Sequence, residues 1–188
     1  MKKLLLLCLV LTLSAAVYAQ KYKPVIKNNS TLNYKAVSRA TGQPAVITLT
    51  LVNIAAPVKI KWAIPYVGTG FFEMSAASMQ SAVKTIAKEP DPDEVTKIDD
   101  DKTLIVISKD SFNSLVNTKT FKLNNYTFNV QPDTSNYKIN DKPADVFYAV
   151  STRGSREIWI LNNPDFPLIC CAKRVTPYID FSLVTLTE

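Results

Sequence analysis

The side chains that most often carry enzyme chemistry are scarce in this sequence. Its 188 residues include no histidine, which removes Ser–His and Cys–His nucleophile pairs, histidine general bases and most catalytic zinc sites. Ser81 and Lys84 match the Ser-x-x-Lys spacing in which a lysine activates a serine, but the partner motifs of that chemistry are absent. We predict no catalytic residues and lean against an enzyme. A histidine-independent carboxylate hydrolase remains an alternative, because its paired carboxylates can lie far apart in sequence.

Metal binding is not expected either. Asp99, Asp100 and Asp101 are consecutive, without the alternate ligand spacing and central glycine of a calcium loop. Cys170 and Cys171 are adjacent, and in an extended strand their side chains point to opposite faces, so we interpret them as packing residues. The sequence therefore predicts no metal site and no cofactor.

A set of aromatic and methionine side chains offers another chemistry, the binding of an apolar ligand. The set lies between the third predicted strand and a predicted helix, where Gly68 and Gly70 interrupt the pattern. Such side chains either line a ligand cavity or form ordinary core, and the sequence leaves both interpretations open. The candidate ligand-binding residues are Trp62, Tyr66, Phe71, Phe72, Met74 and Met79.

Charge is distributed unevenly along the chain, whose formal net charge is +6. Residues 20–72 contain seven basic side chains and no acidic one, whereas residues 73–110 contain nine acidic side chains and five lysines. A basic sheet face with Lys35, Lys59 and Lys61 is a candidate for docking on an anionic envelope partner. The alternative is that this face meets the protein's own acidic segment. Nucleic acid is not an expected partner.

The N-terminus has the pattern of an export signal. Lys2 and Lys3 precede an apolar run over residues 4–13, and Ala19 ends a small-x-small cleavage pattern. The apolar run is shorter than the roughly 20 residues that a bilayer requires. We therefore predict a signal peptide over residues 1–19, one domain over residues 20–188, a periplasmic or secreted location, and no transmembrane segment after cleavage.

Alternating apolar and polar residues predict an antiparallel meander of three strands over residues 31–64. A helix over residues 76–88 follows, capped by Ser75 and stopped by Pro90. Residues 89–102 are predicted as an acidic loop, residues 104–107 as a short strand, and Ser108 as the cap of a short second helix.

Hairpins dominate the remainder of the chain. Asn124 and Asn125 form a two-residue turn that pairs Phe121 with Phe128 on one face. A second hairpin joins residues 146–151 to residues 157–161, and two strands over 167–171 and 179–186 follow, the last with a bulge where its apolar parity switches. The predicted fold class is α+β: a curved, mostly antiparallel sheet or partly open barrel with one main helix packed on it.

Residues 159–169 read Trp-Ile-Leu-Asn-Asn-Pro-Asp-Phe-Pro-Leu-Ile. This strand, Asn-Pro turn and Phe-Pro entry into the next strand resemble a hairpin of the periplasmic LolA-like lipoprotein and lipid carrier domains. The order of elements is similar to that of the same domains, and in general style the chain also resembles short secreted proteins of Gram-negative bacteria. The resemblance implies a half-open sheet covered by helices, with a cavity that receives acyl chains.

Our leading hypothesis is a non-enzymatic domain that binds an apolar or amphipathic, lipid-like ligand on the concave side of its sheet, with the helix from Ala76 as a lid.

Overall fold

The chain is organised around one large β-sheet. The computed structural model describes residues 21–86, 91–132 and 136–188, so the predicted signal peptide lies outside the described residues. The strands, in chain order, are β1 (Thr31–Ser38), β2 (Pro44–Asn53), β3 (Val58–Ile64), β4 (Gly68–Met74), β5 (Lys84–Thr85), β6 (Val95–Ile98), β7 (Lys102–Thr103), β8 (Thr120–Leu123), β9 (Tyr126–Gln131), β10 (Lys138–Ile139), β11 (Lys142–Pro143), β12 (Val146–Ser151), β13 (Glu157–Leu161), β14 (Ile169–Lys173) and β15 (Ile179–Thr187).

Eleven of these strands form an open sheet in the order β6-β4-β3-β2-β1-β15-β14-β13-β12-β9-β8. Every neighbouring pair in it is antiparallel except β4 and β6, which are parallel. The two ends of the sheet, β6 and β8, are not paired with each other, so among the described strands the sheet does not close into a barrel.

Two short helices accompany the sheet, α1 (Ala76–Ser81) and α2 (Lys109–Thr118). Their predicted caps are present: the Ser75 hydroxyl accepts from the Ser78 amide at 3.1 Å, and the Ser108 hydroxyl accepts from the Ser111 amide at 3.3 Å. The structure is therefore mostly β, and the prediction of one main helix packed on the sheet is not confirmed.

The prediction that the first helix continues to residue 88 is wrong beyond Ser81. The amide of Lys84 donates to the Asp101 carbonyl and the amide of Ile86 to the Thr103 carbonyl, in the parallel pairing of β5 with β7. These amides are bonded to a distant strand and are unavailable to a helix. Lys88 and Pro90 lie outside the described residues.

The predicted meander is confirmed, and it extends further than the sequence indicated. Gly68 to Met74, predicted to break the pattern, form β4 and pair with β3 over the full length of both strands. Residues 95–98, predicted as part of an acidic loop, form the edge strand β6 beside β4. Gly68, Gly70 and the outward-facing Phe71 interrupt the apolar alternation of β4, whereas β6 depends on a parallel partner that local periodicity does not reveal.

The hairpin at Asn124 and Asn125 is confirmed residue by residue. Both asparagines have positive φ angles, 51° and 65°, and Phe121 lies opposite Phe128 with their rings stacked 5.2 Å apart. The bulge predicted in the last strand is also present, since the pairing with β1 skips Val184.

Strands β13 and β14 are buried on both faces. On the inner face, Trp159 and Leu161 belong to a large core that also includes the apolar side chains of β1 to β4. On the opposite face, Ile158 and Ile160 belong to a second core beneath α2. Residues 105–107 run beside the start of β14 and contribute to both cores.

Cys170 and Cys171 are both buried, unbonded to each other, and part of the inner core. The expectation that they face opposite sides is wrong, because the pairing of β13 with β14 shifts register and leaves Cys170 without a partner residue. A bulge of this kind changes which face the next side chain points to.

Two tyrosines connect strands where the ladder is interrupted. β14 and β15 share only the pairs Cys171–Ser182 and Ala172–Phe181. The Tyr137 hydroxyl lies 2.9 Å from the Cys170 carbonyl and 2.6 Å from the Leu183 carbonyl. The Tyr137 hydroxyl carries one proton, which is shared between these carbonyls on the two sides of the shortened pairing, while the Tyr34 hydroxyl donates to the Ile169 carbonyl at 2.9 Å.

We expect Tyr137→Phe to lower the free energy of unfolding by about 1–3 kcal/mol, because buried carbonyls then lose their donor. Urea denaturation measures the change. Tyr66→Phe is the matched control, since Tyr66 is fully exposed, and it should leave stability unaltered. Equal stability of Tyr137→Phe and the wild type would contradict the role given to this hydroxyl.

The same cluster predicts a loss of stability at alkaline pH. Burial raises the pKa of Tyr34 and Tyr137 above the usual tyrosine range and raises the pKa of Cys171 to about 11. The unfolded chain releases these protons first, so stability decreases above the unfolded pKa of each group, which is about 8.5 for cysteine and about 10 for tyrosine, by up to about 1.4 kcal/mol per pH unit for each group. Urea midpoints should therefore fall between about pH 8.5 and about pH 11, with the contribution of the tyrosines above about pH 10. The fall should be smaller in Tyr137→Phe, and a constant midpoint would contradict it.

Candidate functional site

A cavity of about 690 Å³ lies on the inner face of the sheet. Its lining is almost entirely apolar and comes from β1 to β4 and β15, closed by Ile86, Leu104 and Ile105 from the segment that crosses this face. We call this space the apolar cavity. The lining residues are Tyr34, Ala36, Ser38, Gln43, Ala45, Ile47, Leu49, Trp62, Ile64, Phe72, Ile86, Leu104, Ile105, Thr176, Tyr178, Ile179 and Phe181.

One end of the apolar cavity is closed and the other faces solvent. Tyr34, Leu49 and Trp62 are at most 4% exposed and form the deep end. Gln43 and Tyr178 are exposed and lie in turns at the ends of strands, β1–β2 and β14–β15. The exposed end of the cavity therefore lies at turns and the aromatic floor at its buried end.

The segment that closes the cavity is fixed by hydrogen bonds at Leu104. Its amide lies 3.3 Å from the Met74 sulfur, and its carbonyl accepts from the Thr85 hydroxyl at 2.8 Å. Ile105 is anchored next to it, since its carbonyl accepts from the Ile169 amide at 2.7 Å. The wall opposite the sheet therefore has a defined position, as expected for a preformed site.

Trp62 has an unusual environment on the floor of the cavity. Its indole is 1% exposed, and its Nε1 has no hydrogen-bond partner among the described residues. The ring lies against Gly70 on the next strand, where an added Cβ would be 2.8 Å from Nε1. Gly70 thus provides the space that lets a tryptophan lie flat at this position.

The structure brings two of the six candidate ligand-binding residues into the apolar cavity, Trp62 and Phe72. Met74 and Met79 are buried in the same core but do not line the cavity. Tyr66 is exposed in the turn between β3 and β4, with φ 67°.

Phe71 lies on the outer face of the sheet, because it alternates with the inward-facing Phe72. The Lys59 ammonium is 4.7 Å from the centre of its ring, a cation–π contact. If β4 had been recognised from the sequence, its alternation would have placed Phe71 on the face opposite Phe72 and excluded it from the candidate ligand-binding residues.

Lys35, Lys59 and Lys61 share the outer face of the sheet, since each alternates with buried inward-facing neighbours. Lys59 is half-buried, while Lys35 and Lys61 are exposed. Glu73 lies directly opposite Lys59 on β4. These lysines lie across the sheet from the apolar cavity and do not contribute to it.

Two of the three consecutive aspartates considered for metal binding form ion pairs with lysines. Asp101 pairs with Lys84 at 2.6 Å, and Asp99 pairs with Lys102 at 2.5 Å. A hydrogen bond from Lys84 lowers the pKa of Asp101. Ser81, the other half of the Ser-x-x-Lys match, donates to the Ala77 carbonyl, so Lys84 is not placed to activate it. Among the described residues, no group of three metal-ligating side chains converges.

Comparisons with known proteins identify no relative for this chain. No family model matches, and neither a curated protein nor a solved structure is significantly similar. In the parts of the chain that the structure describes, no helix has the length and apolar character needed to span a bilayer.

The close approach of Gly70 to Trp62 predicts that Gly70→Ala destabilises the protein by about 1–3 kcal/mol, as overpacking does. The added methyl group would also lie 3.0 Å from two carbons of the indole. Urea denaturation gives the change. Thr69→Ala, at the exposed neighbouring position, is the control and should have little effect.

The cause is tested by repeating Gly70→Ala in a Trp62→Phe background. The smaller ring leaves room for the methyl group, so the cost of the substitution should fall and the two changes should be coupled. An equal cost in both backgrounds would show that the indole is not what excludes a side chain at position 70.

Proposed function

We propose that this protein is a non-enzymatic binding domain that holds an apolar or amphipathic, lipid-like ligand in the apolar cavity. The observation that carries the proposal is the cavity itself, an apolar space of about 690 Å³ inside an ordered core. Cores are normally packed without voids larger than a water molecule, and ligand sites range from about 300 to 1,000 Å³. A space of this size and composition suits a hydrocarbon chain.

The position of the cavity supports the same function. It lies between the sheet and a hydrogen-bonded covering segment, with its solvent-facing end at turns rather than at strands. The resemblance of residues 159–169 to LolA-like carrier domains agrees with a ligand of this class. The export signal predicted over residues 1–19 agrees with an activity in the periplasm or outside the cell.

The alternatives receive less support from the geometry. The described lining of the apolar cavity contains no carboxylate, which a carboxylate hydrolase needs at its reaction centre. The lysines proposed for docking on an anionic partner occupy a sheet face, with Lys59 engaged by an aromatic ring. The apolar cavity supports the leading proposal better than these alternatives, because its volume and its apolar lining both suit a lipid-like ligand.

Binding of the neutral fluorescent probe N-phenyl-naphthylamine tests the proposal. The purified protein should bind the probe saturably and protect it from water. Ala36→Phe should weaken binding at least about tenfold, because Ala36 lines the cavity on β1 and a phenyl ring there would occupy the ligand's space. Unfolding should be measured for the same variant, since the added ring fills a void.

Val46→Phe is the matched control. Val46 is 52% exposed on β2, opposite Lys35 on the outer face, and does not line the cavity. It should bind the probe as the wild type does. Equal affinity of Ala36→Phe and Val46→Phe, with both folded, would refute the assignment of the ligand to this cavity.

A further inference from the structure

A second cavity, of about 800 Å³, adjoins the apolar cavity and has a different chemistry. Three arginines line it, Arg39, Arg156 and Arg174, and no carboxylate of the described residues does. We call it the arginine cavity. Because a guanidinium remains protonated throughout the physiological pH range, its lining carries three positive charges.

The two cavities meet at three places in the chain. Thr176 lines both. Ser38 lines the apolar cavity, and its neighbour Arg39 lines the arginine cavity. Likewise, Ile86 lines the apolar cavity, and its neighbour Thr85 lines the arginine cavity. A ligand that extends past these shared walls would have one end among apolar side chains and the other among arginines.

The strand order explains why arginines from distant positions meet here. The turns after β1, β8, β12 and β14 all lie at one end of the antiparallel sheet. Asn124 joins two of the walls, since its side chain accepts from the Thr85 amide at 2.9 Å and donates to the Val175 carbonyl at 3.2 Å. The arginine cavity therefore occupies the end of the sheet at which the apolar cavity opens.

Arg156 is held in place without a carboxylate. Its guanidinium stacks 3.6 Å from the centre of the Tyr126 ring, and its nitrogens donate to the Tyr126 and Ser155 hydroxyls. Its Nε is buried with no partner among the described residues, and it forms no ion pair with them. A positive charge held this way, partly removed from water, favours an anion nearby.

Of the other two guanidinium groups, that of Arg39 lies near a carboxylate, whereas Arg174 contacts the same carboxylate only through its backbone amide. Asp180 lies 3.7 Å from Arg39 and accepts from the Arg174 backbone amide at 2.7 Å. The side chain of Arg39 also donates to the Thr176 carbonyl on the boundary between the cavities. Three guanidinium charges against the single Asp180 carboxylate leave two positive charges in excess.

We propose that the arginine cavity binds the anionic head of the same molecule whose hydrocarbon chain fills the apolar cavity. This inference rests on the proposed function and narrows it: the ligand is an anionic amphiphile, an acyl chain that ends in a carboxylate or phosphate. Arg156 and Arg174 bind the head through charge-assisted hydrogen bonds. Arg39 stands at the boundary between head and chain.

Dodecanoate and dodecanol test the proposal, because they share a hydrocarbon chain and differ in the charge of the head. Each is titrated against N-phenyl-naphthylamine bound to the purified protein, at fixed ionic strength. Dodecanoate should bind at least about tenfold more tightly than dodecanol, as expected for hydrogen bonds to a charged group. The preference should decrease as salt is added.

The variants locate the head. Arg156→Gln and Arg174→Asn should each reduce the preference for dodecanoate several-fold while dodecanol binds as before. Asparagine suits position 174, whose φ of 59° is left-handed. Arg156→Lys should recover part of the preference. Arg153→Gln is the control, because Arg153 is exposed in the same β12–β13 turn and lies outside the cavity.

The outcomes separate the two proposals. Equal binding of dodecanoate and dodecanol, or a preference that survives both arginine substitutions, would overturn this inference and leave the proposed function intact. Failure of both compounds to displace the probe, together with no saturable probe binding, would overturn the proposed function as well. Inorganic phosphate should weaken the binding of dodecanoate but not that of dodecanol, because only dodecanoate places an anion among the arginines; phosphate that left dodecanoate binding unchanged would overturn the inference.

Discussion

Strands β13 and β14 lie near the centre of the sheet with apolar side chains on both faces, and this double burial requires a cover on each side. Helix α2 supplies one cover, and the inner core supplies the other. Residues 105–107 run beside β14 and contribute to both. The position of residues 104–107, and with it part of the wall of the apolar cavity, follows from this requirement.

The inner face is filled unevenly. At β12 and β13 large side chains occupy it, with Trp159 stacked on Tyr148 at 4.6 Å. Between strands β1 to β4 and β15 on one side and Ile86, Leu104 and Ile105 on the other, a space remains. An unfilled apolar space of this kind costs stability in proportion to its volume. Its retention beside a well-packed region is easier to understand as a ligand site than as a packing defect.

Elements that depend on local pattern could be predicted from the sequence. The alternation in β1 to β3, the Asn124–Asn125 turn and the bulge at Val184 each involve neighbours in sequence or a fixed turn chemistry. Of the strands in the large sheet that escaped prediction, β4 has an alternation interrupted by glycines although it forms a hairpin with β3, and β6 needs a parallel partner distant in sequence. The early end of α1 has the same cause, because its continuation was overridden by pairing with β7.

The residues of the candidate site also differ in whether local sequence could reveal them. Trp62 and Phe72 could be selected from the sequence because aromatic residues cluster there, but Phe71 required the parity of an unrecognised strand. Most of the lining could not be selected, since Ile105, Thr176 and Phe181 join the cavity only through the fold. The arginines were still less accessible, because each comes from a different turn and no spacing links them.

The two cavities can be judged together by what each lacks. The apolar cavity is not filled by the protein's own apolar side chains. The arginine cavity has no carboxylate in its lining, and the Nε of Arg156 has no hydrogen-bond partner among the described residues. Either feature alone reduces the stability of the folded chain. Because Thr176 lines both cavities, the amphiphile proposed above would fill the first and bring an anion to the second, and its binding would stabilise the fold by mass action. A purely apolar ligand would leave the positive charge of the arginine cavity uncompensated, and a small anion would leave the apolar cavity unfilled.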